Sequence, residues 1–222
     1  MEQERKFGRI QSPFDGRDLI IKQGLQLSIG AQVESKEWPV QIILDQGSTP
    51  HCGGFTMAGF GNCAPVMDKL YDQAGHDFYY DCKVVEGDPG AETGVYTRSM
   101  AIVLKDKGMI PGYGWLLTIE DAKQWVLKFG PILVGTVWLS SMVDIFEPDG
   151  TMYVNGRAVG GHAYLMTGYD AKEDKFSFIN SWGLEWGLDG HFKIRASDFE
   201  KLIKAGGEMI AAIERTSPMV NW

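Results

Sequence analysis

The sequence predicts an α+β chain of two lobes, mainly helical in its first half and antiparallel β-sheet or barrel in its second, with a site in the cleft between them. Three observations carry this. Apolar residues recur at helical intervals between residues 52 and 129, short apolar or alternating runs follow from residue 132 onward, and an aromatic-glycine stretch near residue 115 lies between the two regimes. The implied division is an N-terminal arm over 1–36, a helical lobe over 37–114 and a β lobe over 115–222.

Residues 1–36 hold no sustained period and read as an extended arm, with Asp15-Gly16 a turn and Leu19-Ile20-Ile21 a short strand candidate. Asp45-Gln46-Gly47-Ser48-Thr49-Pro50-His51-Cys52 then reads as a helix start: Ser48 or Thr49 supplies the N-cap, Pro50 fits the first turn, and Cys52 lies within that turn. From Cys52 to about Gln73 the positions of Phe55, Ala58, Cys63, Met67, Leu70 and Tyr71 suit one helix. Its glycines, Gly53, Gly54, Gly59 and Gly61, imply close packing against other backbone, because each costs about 1 kcal/mol relative to alanine in an exposed helix.

The stretch 84–95 reads as an acidic, glycine-rich loop. Glu86, Asp88 and Glu92 could hold calcium there, but the ligand spacing of a calcium loop is missing and solvated charge is the ordinary reading. Ser99 to Lys107 and Ile119 to Phe129 read as helices, closed by Gly108 and by Gly130-Pro131. The expected strands are 132–138, 163–169, 176–180, 191–194 and 209–213.

Composition excludes several classes. The 222 residues are 44% hydrophobic, enough for a sizeable core, and a formal net charge of -8 without any basic run argues against nucleic acid as a partner. The absence of a long apolar run argues against a membrane partner, and MEQERKFGRIQ does not resemble a secretory leader. Cys52, Cys63 and Cys82 are spaced by 11 and 19 residues, which matches no zinc site, so no metal or cofactor is expected. A Cys63–Cys82 disulfide is conceivable, but three reduced thiols in a cytoplasmic setting are the simpler expectation, with a virus-associated location or another export route as alternatives.

At the start of a helix, unpaired backbone N–H groups and the dipole favour a thiolate, so Cys52 could be a nucleophile. Taken alone it reads as an ordinary small buried residue, and only partners can overturn that. A thiolate nucleophile needs a base, and the base an orienting acceptor. His51 is one residue away and points elsewhere on the helix, His76 lies in a polar turn, and His191 opens a strand in a structural setting. His162 follows Gly160-Gly161 at the rim of an apolar strand, where a cleft base belongs. Asn180 ends a later strand and could accept the imidazole N–H, and Trp182 could cover that bond against water.

Three separated blocks carry a resemblance. QGSTPHC is similar to the glutamine-to-nucleophile block of the papain-like cysteine peptidases, GGHAYLMTGYD to their histidine strand, and INSWGLEWGLDGHFKI to their asparagine-tryptophan block; GVYTRSMAIVLKDKGMI and GPILVGTVW resemble the intervening helix and strand. The resemblance covers about residues 37–195. It implies a papain-like fold and a cysteine endopeptidase acting through a thiolate–imidazolium pair and an acyl-enzyme. Cys52 would be the nucleophile, His162 its partner, Asn180 the group that orients the ring and Trp182 its support; the oxyanion would be held by the Cys52 N–H and the Gln46 side chain. Gly94, Val95 and Gly161 would bind substrate backbone.

The chain also departs from the pattern. Gly53 stands where the family usually has a bulky aromatic, which opens the floor of the site or lets another side chain fill it. Only about 36 residues precede the matched core, which resembles compact bacterial or viral members without a long pro-segment. The implied partner is a peptide or protein substrate, with a protein inhibitor or the arm itself as a restraint. The alternatives are a binding or assembly scaffold with weak or no hydrolysis, or an isopeptide or cell-wall amide hydrolase or acyl transferase.

Overall fold

The computed structural model describes residues 5–22, 35–144 and 147–213. Helices come first and strands dominate later, as the periodicity predicts. The helix α1 (Cys52–Asn62) is buried along its whole length. A methyl built on Gly54 would overlap the carbonyl oxygen of Gly75, and one on Gly61 would lie 2.6 Å from Leu70 Cδ1. The glycines therefore permit close contact, and tertiary burial offsets their poor intrinsic propensity.

The expected single helix over 52–73 is in fact two. α1 stops at Asn62, and α2 (Asp72–Glu86) begins ten residues later, after a segment containing Pro65. α2 takes over the first residues of the expected 84–95 loop and ends on Gly87, whose left-handed backbone (φ 79°) suits glycine. Its mixed-charge outer face hid its apolar stripe of Phe78, Tyr79 and Cys82 from a periodicity reading.

α3 (Thr97–Asp106) and α4 (Ile119–Lys128) lie where expected; in α4 the Thr118 hydroxyl caps the helix by accepting from the Asp121 N–H. The short strands β1 (Arg9–Ile10) and β3 (Val95–Tyr96) pair in parallel, so the arm is joined to the chain just before α3. Leu19-Ile20-Ile21 forms only an isolated bridge, Ile20 to Trp115. The part of the arm at 23–34 lies outside the described residues.

The main sheet contains β2 (Lys36–Glu37), β4 (Gly112–Trp115), β5 (Ile132–Leu139), β6 (Ala158–Asp170), β7 (Lys175–Ile179), β8 (His191–Arg195) and β9 (Glu208–Ile213). All its ladders are antiparallel, in the order β4-β9-β5-β6-β7-β8, with β2 on β6. The aromatic-glycine stretch expected as a crossing is thus itself a strand, and α5 (Ala196–Lys204) was not anticipated. One apolar cluster gathers α1–α3 against the sheet; a second holds Trp138, Phe176, Phe178, Phe192 and Phe199. Among the described residues no helix is long and apolar enough to cross a membrane.

Candidate active site

Cys52 is the first residue of α1, and its N-cap is His51 rather than Ser48 or Thr49. Thr49 is otherwise engaged, its hydroxyl donating to the Gln46 carbonyl at 2.7 Å. His51 turns away from Cys52, as its position one residue before it requires. Its Nδ1 meets His76 Nδ1 at 2.7 Å and its Nε2 meets Glu92 at 3.2 Å, while its ring stacks on Tyr79. His76 is consequently half-buried and paired, not the free surface group its polar turn suggested.

β6 carries His162 to the same place. The N–H of Ala163, the next residue, donates to Cys52 Sγ at 3.4 Å. His162 Nε2 donates to Asn180 Oδ1 at 2.8 Å. That oxygen also accepts the Ser181 N–H at 2.8 Å, which fixes the amide's orientation and hence the tautomer. The other ring nitrogen, Nδ1, therefore keeps its lone pair, and it is buried without a hydrogen-bond partner. Trp182 and Trp138 flank the imidazole at 5.0 and 4.7 Å between centroids, shielding the His162–Asn180 bond from water.

Gln46 completes the set. Its Oε1 accepts the Ser181 hydroxyl at 2.7 Å, and its Nε2 donates to the Thr49 carbonyl at 2.6 Å and to the Lys6 carbonyl at 3.2 Å. Four residues separated by up to 134 positions in sequence thus converge, and the side-chain amide of Gln46 already holds a carbonyl oxygen.

That carbonyl belongs to the arm. Phe7 packs edge-on to His162 and Trp182. A methyl on Gly8 would overlap the Pro50 carbonyl, and the Gly8 carbonyl accepts the Val95 N–H at 2.8 Å. A methyl on Gly161 would overlap the Arg9 carbonyl, and one on Gly94 would lie 2.8 Å from Gly8. The three residues expected to bind substrate backbone, Gly94, Val95 and Gly161, are those the arm covers.

Burial bears on the expected thiolate–imidazolium pair. With the arm seated, burial pushes the Cys52 thiol up to about 11, against backbone hydrogen bonds from Ala163, Gly8 and Gly53 that lower it. Burial likewise pushes His162 down to about 4, against the Asn180 bond that raises it. Both groups are therefore neutral near pH 7, because desolvation disfavours each charged form.

Gly53 is explained by its neighbours. A side chain there would overlap Val95 Cγ2 and approach Met100 Sδ at 3.2 Å, so of the two expected outcomes, an open floor or one filled by another side chain, the second holds, with Val95 as the filler. The acidic loop residues are also employed. Lys83 Nζ pairs with Glu86 at 3.0 Å and Asp88 at 2.8 Å, and among the described residues no cluster suits a metal ion. No disulfide joins Cys63 to Cys82.

Lys6, Phe7, Gly8, Arg9, Ser181 and Glu208 were not anticipated. KFGR has no period to reveal it, and the only cue to Glu208 is an acid heading an otherwise apolar strand, EMIAAI.

The Papain family cysteine protease profile matches residues 104–209. Xylellain, a cysteine protease from Xylella fastidiosa, superposes with a TM-score of 0.74 at 17% identity over 97% of this chain and 98% of its own. The fold is papain-like. The digestive procathepsin L2 proteinase of Tenebrio molitor larval midgut superposes on the papain-like chain at a TM-score of 0.65 and 21% identity, over 94% of this chain and 78% of its own. In sequence the chain is similar to cathepsin B-like protease 1 of Arabidopsis thaliana, 33% identical over 79 residues; these are 34% of this chain and only 21% of that protein.

Proposed function

We propose that this papain-like chain is a cysteine-type endopeptidase held in a closed form by its own N-terminal arm. The observation that carries the reading is the convergence of Cys52, His162, Asn180 and Gln46, with a peptide carbonyl already on Gln46 Nε2. Once the arm lifts, water re-enters and the cost of charging the pair falls. Cys52 passes its proton to His162 Nδ1, and Sγ attacks the substrate carbonyl carbon. The oxyanion is held by Gln46 Nε2 and the Cys52 N–H. His162 then protonates the departing amine, and water resolves the thioester, releasing the acid and restoring the thiol.

The arm escapes this chemistry by its direction. Its earlier residues lie by His162 and Trp182, on the side where the amine departs, and its later residues pair in parallel with Val95 and Tyr96. In a substrate the departing amine belongs to the C-terminal fragment. A substrate must therefore run the opposite way along Val95–Tyr96, and the arm is a peptide seated backwards.

Mass-spectrometric profiling of a proteome-derived peptide library tests the reading. The wild-type chain should yield cleaved peptides with newly formed carboxylates, and Cys52→Ala should yield none while melting as a folded protein. Capture of peptides without cleavage would favour a binding scaffold instead. Products joined through new amide bonds would favour acyl transfer.

A further inference from the structure

Three side chains of α2 hold the back of the strand along which the arm lies. Tyr79, Lys83 and Glu86 are spaced i, i+4 and i+7, so they share one face of the helix. The Tyr79 hydroxyl donates to the Thr93 carbonyl at 2.6 Å and lies 3.0 Å from the Ala91 carbonyl. Lys83 Nζ donates to the Gly94 carbonyl at 3.2 Å and to the Thr93 hydroxyl at 3.1 Å, besides pairing with Glu86 Oε2 and Asp88. The other oxygen of Glu86, Oε1, accepts the Tyr96 N–H at 2.7 Å. The Lys83 and Glu86 side chains are only 1% and 5% exposed.

Stability does not account for burying this pair. Desolvation of two charges offsets most of their attraction, and apolar residues of similar volume often serve a fold as well or better. What the pair supplies is direction. Extended backbone turns the polar groups of successive residues to opposite sides, so with the Gly94 carbonyl and the Tyr96 N–H held on α2, the Val95 N–H and carbonyl face the cleft. The Val95 N–H is the group that meets the Gly8 carbonyl of the arm. The same anchoring sets the Val95 side chain beside Gly53, in the turn that carries Cys52.

We infer that Lys83 and Glu86 are positioning residues, which hold residues 94–96 from behind so that Val95 presents its backbone to the peptide in the cleft, arm or substrate alike. Both act through the strand. For a substrate the inference rests on the peptidase reading; for the arm it does not, because the Gly8 contact is part of the structure. Two readouts therefore separate them.

The test variant combines Lys83→Met with Glu86→Leu in the full chain, exchanging the pair for apolar residues of similar volume, and it should still melt as a folded protein. Iodoacetamide should label Cys52 roughly fivefold or more faster than in the wild type, because the strand no longer seats the arm. In a Gly8→Ala background, where the arm is already lifted, the exchange should add nothing to the labelling rate. There, on a fluorogenic peptide, KM should rise roughly tenfold, the worth of one or two backbone hydrogen bonds, while kcat changes by less than about twofold. Should the double variant not fold, Glu86→Gln removes the charge facing Lys83 and should shift labelling and KM in the same directions by a few-fold. Unchanged labelling, an unchanged KM, or labelling that rises equally in both backgrounds, as a merely loosened core would give, would each overturn the inference. Faster labelling with no turnover in any variant would uphold the positioning of the strand and sink the peptidase reading.

Discussion

The Lys6 carbonyl accepts a hydrogen bond from Gln46 Nε2 at 3.2 Å, so the arm supplies to that amide the oxygen that a substrate would. The Ser181 hydroxyl, donating to Gln46 Oε1 at 2.7 Å, fixes the direction in which the amide points. Gln46→Ala removes a donor aimed at charge that develops during attack, so turnover should fall by about 10²–10³. The expected pattern is a loss in kcat with little change in KM, measured on a fluorogenic peptide. An unchanged kcat would remove Gln46 from the oxyanion site.

How much of this was legible in the sequence depends on what each residue shows locally. His162 and Asn180 showed locally as a strand rim after two glycines and a strand end, whereas Gln46, and Cys52 as a nucleophile, were legible through the resemblance of their block, and the structure brings all four together. The strands β5 to β9 were legible because their faces are apolar runs bounded by turn residues. α2 was not, since Asp72, Gln73, His76, Asp77 and Asp81 dilute its apolar stripe. The arm was expected as one possible restraint, but which of its residues enter the cleft was not legible: Gly8 matters only through its contacts with Pro50 and Val95, over 40 residues away, and no local pattern encodes them. The neutral state of Cys52 and His162 follows from that same non-local burial.

Gly8 offers a direct way to unseat the arm. A methyl there would overlap the Pro50 carbonyl, which is backbone and cannot step aside cheaply. Gly8→Ala should therefore lift the arm and expose Cys52. In the wild-type chain burial pushes the thiol up to about 11, so the thiolate is the disfavoured form at pH 7. Iodoacetamide labelling of Cys52, followed by peptide mass spectrometry, should be slow in the wild type and at least tenfold faster in Gly8→Ala. Equal rates would mean that the arm does not govern the thiol.

The histidines set a pH window for stability. Burial lowers His162 to about 4 and shifts His51 in the same direction, while their unfolded counterparts protonate near 6.5. Depressed folded values give a contribution that is complete above about pH 6.5 and lost progressively as pH falls toward 4, because the unfolded chain then binds more protons. The Asp149, Asp170 and Asp174 carboxyls are also lowered, but their contribution is lost only from about pH 4 downward. The melting temperature should thus fall between pH 6.5 and 4, and His162→Asn should flatten that slope. A melting temperature constant across the window would contradict the burial of these rings.

Gly53 and Val95 form a coupled pair that a double-mutant cycle can measure. In an isolated helix Gly→Ala gains about 1 kcal/mol, so propensity alone predicts that Gly53→Ala stabilises the chain. The packing predicts the opposite sign, because the new methyl would overlap Val95 Cγ2 within fully buried surroundings. Overpacking of this kind costs about 1–3 kcal/mol, which exceeds the gain in propensity. Val95→Ala removes the obstructing methyls, so Gly53→Ala made in that background should be neutral or stabilising, with a coupling energy of about 0.5–3 kcal/mol. Urea denaturation of the four proteins gives the cycle. Additive effects would show that Val95 does not fill the floor beside Cys52, and that the missing aromatic after the nucleophile is compensated elsewhere.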